Sequence, residues 1–75
     1  MNIRHRFTIV IEKDADGYYA YCPQFQGCYA QGDTYEEVIG AIEDVVKLHI
    51  KDRRETDEKW AEPAMINVTS LEFAL

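Results

Sequence analysis

A chain of 75 residues carries eight Lys and Arg against fourteen Asp and Glu, a formal net charge of −6. That length holds one small domain, residues 1–75, and an apolar fraction of 47% belongs to a globular chain rather than a disordered one. The acidic balance argues against direct nucleic-acid binding, which needs a basic footprint, and no apolar run is long enough to cross a membrane. The opening MNIRHRFTIVIEK lacks the apolar h-region and small-residue cleavage site of a secretory signal. A cytoplasmic location is the expectation.

Residues 6 to 12, RFTIVIE, alternate in period two: Phe7, Ile9 and Ile11 on one side, Thr8, Val10 and Glu12 on the other. That spacing with β-branched residues predicts a strand. KDADG follows, and Asp14, Asp16 and Gly17 are turn formers. YYAYC then predicts a second strand, close enough to the first for a hairpin. Pro23 ends it, because proline cannot donate to a ladder. Gln24 to Gly27 form a loop, and Cys28 to Gln31 a short third strand.

Gly32, Asp33 and Thr34 stop that strand and start a helix. Thr34 with Glu37 fits a capping box, and Asp33 with Glu36 fits equally well. The helix is expected from about Tyr35 to about Lys51. Val38, Ile42, Val45 and His49, widened by Ile39, Val46 and Ile50, make its apolar stripe. Glu43 precedes Lys47 by four residues, the favourable order for an ion pair. Gly40 sits mid-helix, either as a point of close approach or as a tolerated defect. The stretch KDRRETDEKWAEPA reads as a polar connector from which Trp60 folds back over the core edge. MINVTSLEFAL predicts a fourth strand, with a bulge near Thr69 and Ser70 where its alternation changes phase. The order is β-β-β-α-β: an α+β fold with one helix on one face of an antiparallel sheet.

Candidate chemistry is sparse. DADG resembles the opening of a calcium loop, but its glycine comes too early and position twelve would be Phe25. Cys22, Cys28, His5 and His49 number a zinc set, yet their spacing matches no structural site. The cysteines read instead as two small buried residues flanking a strand-to-strand loop. Ser70 is the only serine, and no nucleophile–base pair can be assembled. Glu12, Asp14, Asp16, Glu43 and Glu72 would bind Mg²⁺ only if they converged, and their placement in the elements argues against that. No cofactor, metal or catalytic residue is expected.

The tyrosines are more informative. Tyr18, Tyr19, Tyr21 and Tyr29 fall on the second and third strands. Neighbouring strand residues face opposite ways, so Tyr18 points away from Tyr19 and Tyr21. One helix covers one face, leaving aromatic surface on the other. Such surface is either an amphipathic rim or a protein interface, where tyrosine is enriched. Tyr19, Tyr21, Phe25, Tyr29, Glu36 and Glu37 are the candidate partner-binding residues.

One resemblance draws these pieces together. Gly17, Tyr18, Ala20, Cys22, Pro23, Gly27, Cys28, Gln31, Gly32, Asp33, Thr34, Glu36 and Glu37 follow the pattern of the HicB-like antitoxin family, in order, over about residues 7 to 51. Val38 stands where alanine is common. The resemblance implies a truncated ribonuclease H-like fold without catalytic carboxylates. It also implies a partner, a small basic HicA-like toxin that cleaves messenger RNA and is blocked by the antitoxin. A homo-oligomer, dimer or tetramer, is the expected state. Many members add a C-terminal DNA-binding domain; this chain reads as a short form, with no direct nucleic-acid binding of its own. The rival readings are a stand-alone adaptor of the same fold and a metal-dependent nuclease.

Overall fold

The computed structural model describes residues 4–56, 60 and 65–75. Three antiparallel strands, β1 (Val10–Asp14), β2 (Gly17–Tyr21) and β3 (Tyr29–Gly32), form one sheet in chain order, followed by helix α1 (Tyr35–Glu55).

The β1–β2 hairpin closes tightly, with Asp14 opposite Gly17 and Val10 opposite Tyr21. Asp14 Oδ1 accepts the Asp16 N–H at 2.8 Å, the local bond that makes aspartate a turn former. Gly17 adopts φ +129°, a backbone state closed to most side chains. The strand predicted over 6–12 therefore starts later and runs further, because β2 ends at Tyr21 and offers no backbone beyond it. A side chain substitutes for the missing ladder: the Thr8 N–H donates to Gln24 Oε1 at 2.9 Å, and Gln24 Nε2 donates to the Arg6 carbonyl at 3.5 Å.

CPQFQGC turns the corner between β2 and β3. The Cys22 N–H donates to the Cys28 carbonyl at 2.9 Å, closing the loop, and Gly27 takes φ +76° at its bend. β3 begins one residue later than expected and includes Gly32, which pairs with Tyr18.

Thr34 caps α1: its Oγ1 accepts the Glu37 N–H at 3.1 Å, while Glu37 Oε2 accepts the Asp33 N–H at 3.0 Å. Of the two capping boxes the sequence allowed, the Thr34–Glu37 pair forms. The helix continues to Glu55, past the expected end near Lys51. KDRRE contains no breaker, and Arg53 and Arg54 in the last turn complement the helix dipole. The Glu43–Lys47 pair forms at 3.2 Å. Being exposed, it contributes a few tenths of a kcal/mol at most.

Val38, Ile42 and Val46, spaced by four, are buried together with Ala20, Cys22, Phe25 and Cys28. Trp60 folds back as expected, its ring 5.8 Å from Phe7 and 6.2 Å from Phe25. His49 is a rim residue whose ring stacks on Phe25 at 5.3 Å. The helix packs over β3 and β2 and does not reach β1. The side of β1 nearest the helix is left beside an apolar groove of about 390 Å³, lined by Phe7, Ile9, Ile39, Ile42 and Val46 with Glu43 and Lys47 at its rim.

The fourth strand is not formed. Residues 65–75 carry no regular secondary structure, and Met65, Val68, Leu71, Phe73 and Leu75 stand in solvent. A strand needs a neighbour for its backbone groups, and in the single chain this segment has none. The bulge expected at Thr69 and Ser70 lapses with it.

A tyrosine face beside an acidic cleft

Register decides which side chains share a surface. Ala20 is fully buried under the helix, so Tyr19 and Tyr21 point the opposite way. Tyr29 lies opposite Tyr21, and Gln31 opposite Tyr19. The three tyrosines meet on the open face: the Tyr19 ring is 6.0 Å from Tyr29, stacked, and 5.9 Å from Tyr21. Val10 and Glu12, paired with Tyr21 and Tyr19, extend this face across β1. Tyr29 is 58% exposed. Tyr18, on the helix side, packs edge-on against Tyr35 at 6.2 Å. The predicted separation of Tyr18 from Tyr19 and Tyr21 is what the sheet shows.

The same face runs into a cleft of about 440 Å³ lined by Asp14, Asp16, Gly17, Tyr18, Tyr19, Gln31, Gly32, Asp33 and Glu37. Four carboxylates surround an aromatic wall because the hairpin tip and the start of α1 lie at one end of the sheet. Two of them are held by backbone donors, Asp14 by Asp16 and Glu37 by Asp33. Among the described residues no lysine or arginine is in the lining, although Lys13 Nζ stands 5.8 Å from the centre of the Tyr18 ring; four carboxylates to one nearby ammonium favour a cationic side chain.

The predicted residues divide accordingly. Tyr19, Tyr21 and Tyr29 form one patch, and Glu37 joins the cleft next to it. Glu36 is exposed in the first helical turn but does not line the cleft. Phe25 must be corrected: it is only 3% exposed, with its ring stacked between Phe7 and His49. The loop turns inward after Cys22, where the Phe25 N–H donates to the Cys22 carbonyl at 3.3 Å. Of the carboxylates weighed from the sequence, Asp14 and Asp16 line the cleft and Glu12, Glu43 and Glu72 do not; Asp33 and Glu37, read as cap residues, complete it.

The cysteines are buried thiols. Burial, and next to it the neighbouring Cys22, push the Cys28 thiol up to about 11. That is the opposite of an activated nucleophile. Among the described residues no three His, Cys, Asp or Glu side chains are grouped to hold a metal ion. No described helix is long and apolar enough to cross a membrane.

Residues 7–73 match the family described as HicB-like antitoxin of bacterial toxin–antitoxin system. The chain belongs to the HicB-like antitoxin family. A UPF0150 protein of Synechocystis sp. is 44% identical over 48 residues, covering 63% of this chain and 61% of that protein. A UPF0150 protein of Helicobacter pylori is 45% identical over 49 residues, 65% of this chain and 67% of that protein. One from Thermoplasma acidophilum is 34% identical over 55 residues, 72% of this chain and 80% of that protein. The chain thus spans under two thirds of the Synechocystis relative and about two thirds or more of the other two. No solved structure matches it significantly, and the ribonuclease H-like label rests on the sequence resemblance alone.

Proposed function

We propose that this HicB-like chain is an antitoxin that binds and inhibits a small basic HicA-like toxin that cleaves messenger RNA, acting as a protein-binding module and not as an enzyme. The observation that carries the reading is the continuity of the Tyr19–Tyr21–Tyr29 patch with the carboxylate cleft. Tyrosines supply rigid contact area at low entropic cost. The carboxylates of Asp14, Asp16 and Asp33 receive lysine or arginine from a cationic partner. A net charge of −6 speeds encounter with a basic protein and repels nucleic acid.

The test is co-expression with the small basic protein encoded beside this chain's gene. Growth rescue together with co-purification as one complex is the expected result. The double change Tyr19→Ala and Tyr29→Ala should weaken binding by at least about tenfold, since interface tyrosines each contribute about 1 kcal/mol or more. Charge reversal at Asp16 and Glu36 should slow association at low salt. A neighbour that fails to bind, or variants that bind as tightly as the parent, would overturn the assignment.

A further inference from the structure

β3 pairs with β2 along one edge and with nothing along the other. The Cys22 N–H bonds the Cys28 carbonyl, so residues 22 and 28 form a hydrogen-bonded pair just past the end of the ladder. Such pairs alternate along an antiparallel ladder, and the next two are Ala20 with Ala30 and Tyr18 with Gly32. Ala30 and Gly32 therefore turn their main-chain groups toward β2. Tyr29 and Gln31 turn theirs outward, and among the described residues nothing bonds them there. Sheets commonly guard an open edge with charge, proline or a bulge. Tyr29–Gly32 reads YAQG and carries none of these.

Both faces beside this edge offer contact area. On the open face stand the exposed side chains of Tyr29 and Gln31, at the border of the tyrosine patch. On the other face lies α1. Its Ile39 and Glu43 line the groove beside β1. At about 3.6 residues per turn, Ala41, Val45 and Leu48 fall on the opposite flank, the one toward β3. Because the helix sits over β3, that flank overhangs the open edge. Val45 is half-buried there, and Leu48 is 65% exposed. The two ends of the edge differ. At Gln31 and Gly32 it runs into the acidic cleft. At Tyr29 it runs into a hollow of about 300 Å³ whose lining includes Tyr21, Pro23 and Gly27.

We propose that the partner adds a strand to the β3 edge, its main chain pairing with Tyr29 and Gln31, its apolar side chains resting on Val45 and Leu48, and a lysine or arginine beyond Gln31 entering the cleft. This rests on the reading that the partner is a basic protein, and says how that protein is held. In strand addition the main chain supplies affinity, while pockets for alternate side chains supply specificity. Here the ladder is short, so the helix flank and the cleft supply much of the binding. Charge selects the occupant. A second copy pairing through its own β3 would bring residues 24–33, QFQGCYAQGD, which hold no lysine or arginine for the carboxylates. A basic protein brings one.

The complex with the small basic protein encoded beside this chain's gene provides the test. Amide hydrogen exchange, read by NMR at each residue, should slow at Tyr29 and Gln31 by at least about tenfold on binding. Gln31→Pro should bind at least about tenfold more weakly than Gln31→Ala, since both lose the side chain and only proline loses the outward N–H. The β2 ladder survives that change, because Ala30 and Gly32 make it. Leu48→Asp should weaken binding by at least about tenfold with the helical circular dichroism unchanged, because Leu48 is exposed in the free chain. A complex whose Tyr29 and Gln31 amides exchange as fast as in the free chain would overturn the strand addition and leave the antitoxin reading standing. So would equal binding by the two variants at position 31, or a Leu48→Asp chain that binds as tightly as the parent. Protection of the same amides in the free chain, growing with concentration, would give the edge to a second copy and overturn the proposal. A neighbour that does not bind the parent chain at all would remove both readings together.

Discussion

A Cβ built on Gly32 would stand 2.7 Å from the Val38 backbone nitrogen, closer than real side chains approach a backbone. β3 and the start of α1 therefore meet at a point that only glycine fits, and that contact seats Val38 in the core. Gly40, in the middle of the helix, faces open space, with nothing within 4 Å of a Cβ built there. It is a tolerated defect. Gly32→Ala should lower stability by about 2 kcal/mol or more, and Gly40→Ala should raise it by about 0.5–1 kcal/mol. Urea midpoints of the two variants, moving in opposite directions, would check the pair.

Phe25 and Tyr29 are four residues apart and serve opposite surfaces. Phe25→Ala would open the middle of the Phe7–His49–Trp60 cluster and cost about 3–5 kcal/mol, a large share of a small domain's stability. Tyr29→Ala, on the open face, should cost under about 1 kcal/mol while weakening partner binding. Thermal unfolding alongside a binding titration separates the two effects. A Tyr29→Ala variant that unfolds as readily as Phe25→Ala would contradict the placement.

Removing the Thr34 hydroxyl deprives the Glu37 N–H of its acceptor. Thr34→Ala should destabilise by about 1 kcal/mol, and Thr34→Asp should restore most of it. Chemical denaturation followed at the helical signal reports both. Equal stability of the three chains would rule out the cap as a contributor.

The Cys28 thiol, raised from 9.0 to about 11 by burial and then by Cys22, gives a pH window. The folded chain holds this proton to higher pH than the unfolded chain does. Below about pH 9 both states are protonated and the contribution is fully present. As pH rises from there toward about 11, only the unfolded state ionises, so stability falls, and above that it levels off. Under reducing conditions the urea midpoint should drop between about pH 9 and about pH 11, and drop less in Cys28→Ala. Identical slopes for the two chains would show that this thiol does not titrate differently on folding.

The sequence by itself determined the local elements. Asp14, Asp16 and Gly17 specify a hairpin turn through short side-chain bonds and a positive φ. Thr34 and Glu37 specify a helix start, and the spacing of Val38, Ile42 and Val46 names the face that packs. Each of these signals acts within a few residues, so spacing is enough to read it. The motif order from Gly17 to Glu37 likewise sufficed to recognise the family. Tertiary structure decided the rest: that Phe25 turns inward while Tyr29 stays out, that Gly32 and not Gly40 is the close approach, and that four scattered carboxylates share one cleft. It also decided that the helix covers β2 and β3 but leaves β1 open, and that the apolar tail finds no neighbour within its own chain. Those outcomes depend on which distant segment lies alongside, and periodicity describes a segment's faces without saying what will cover them.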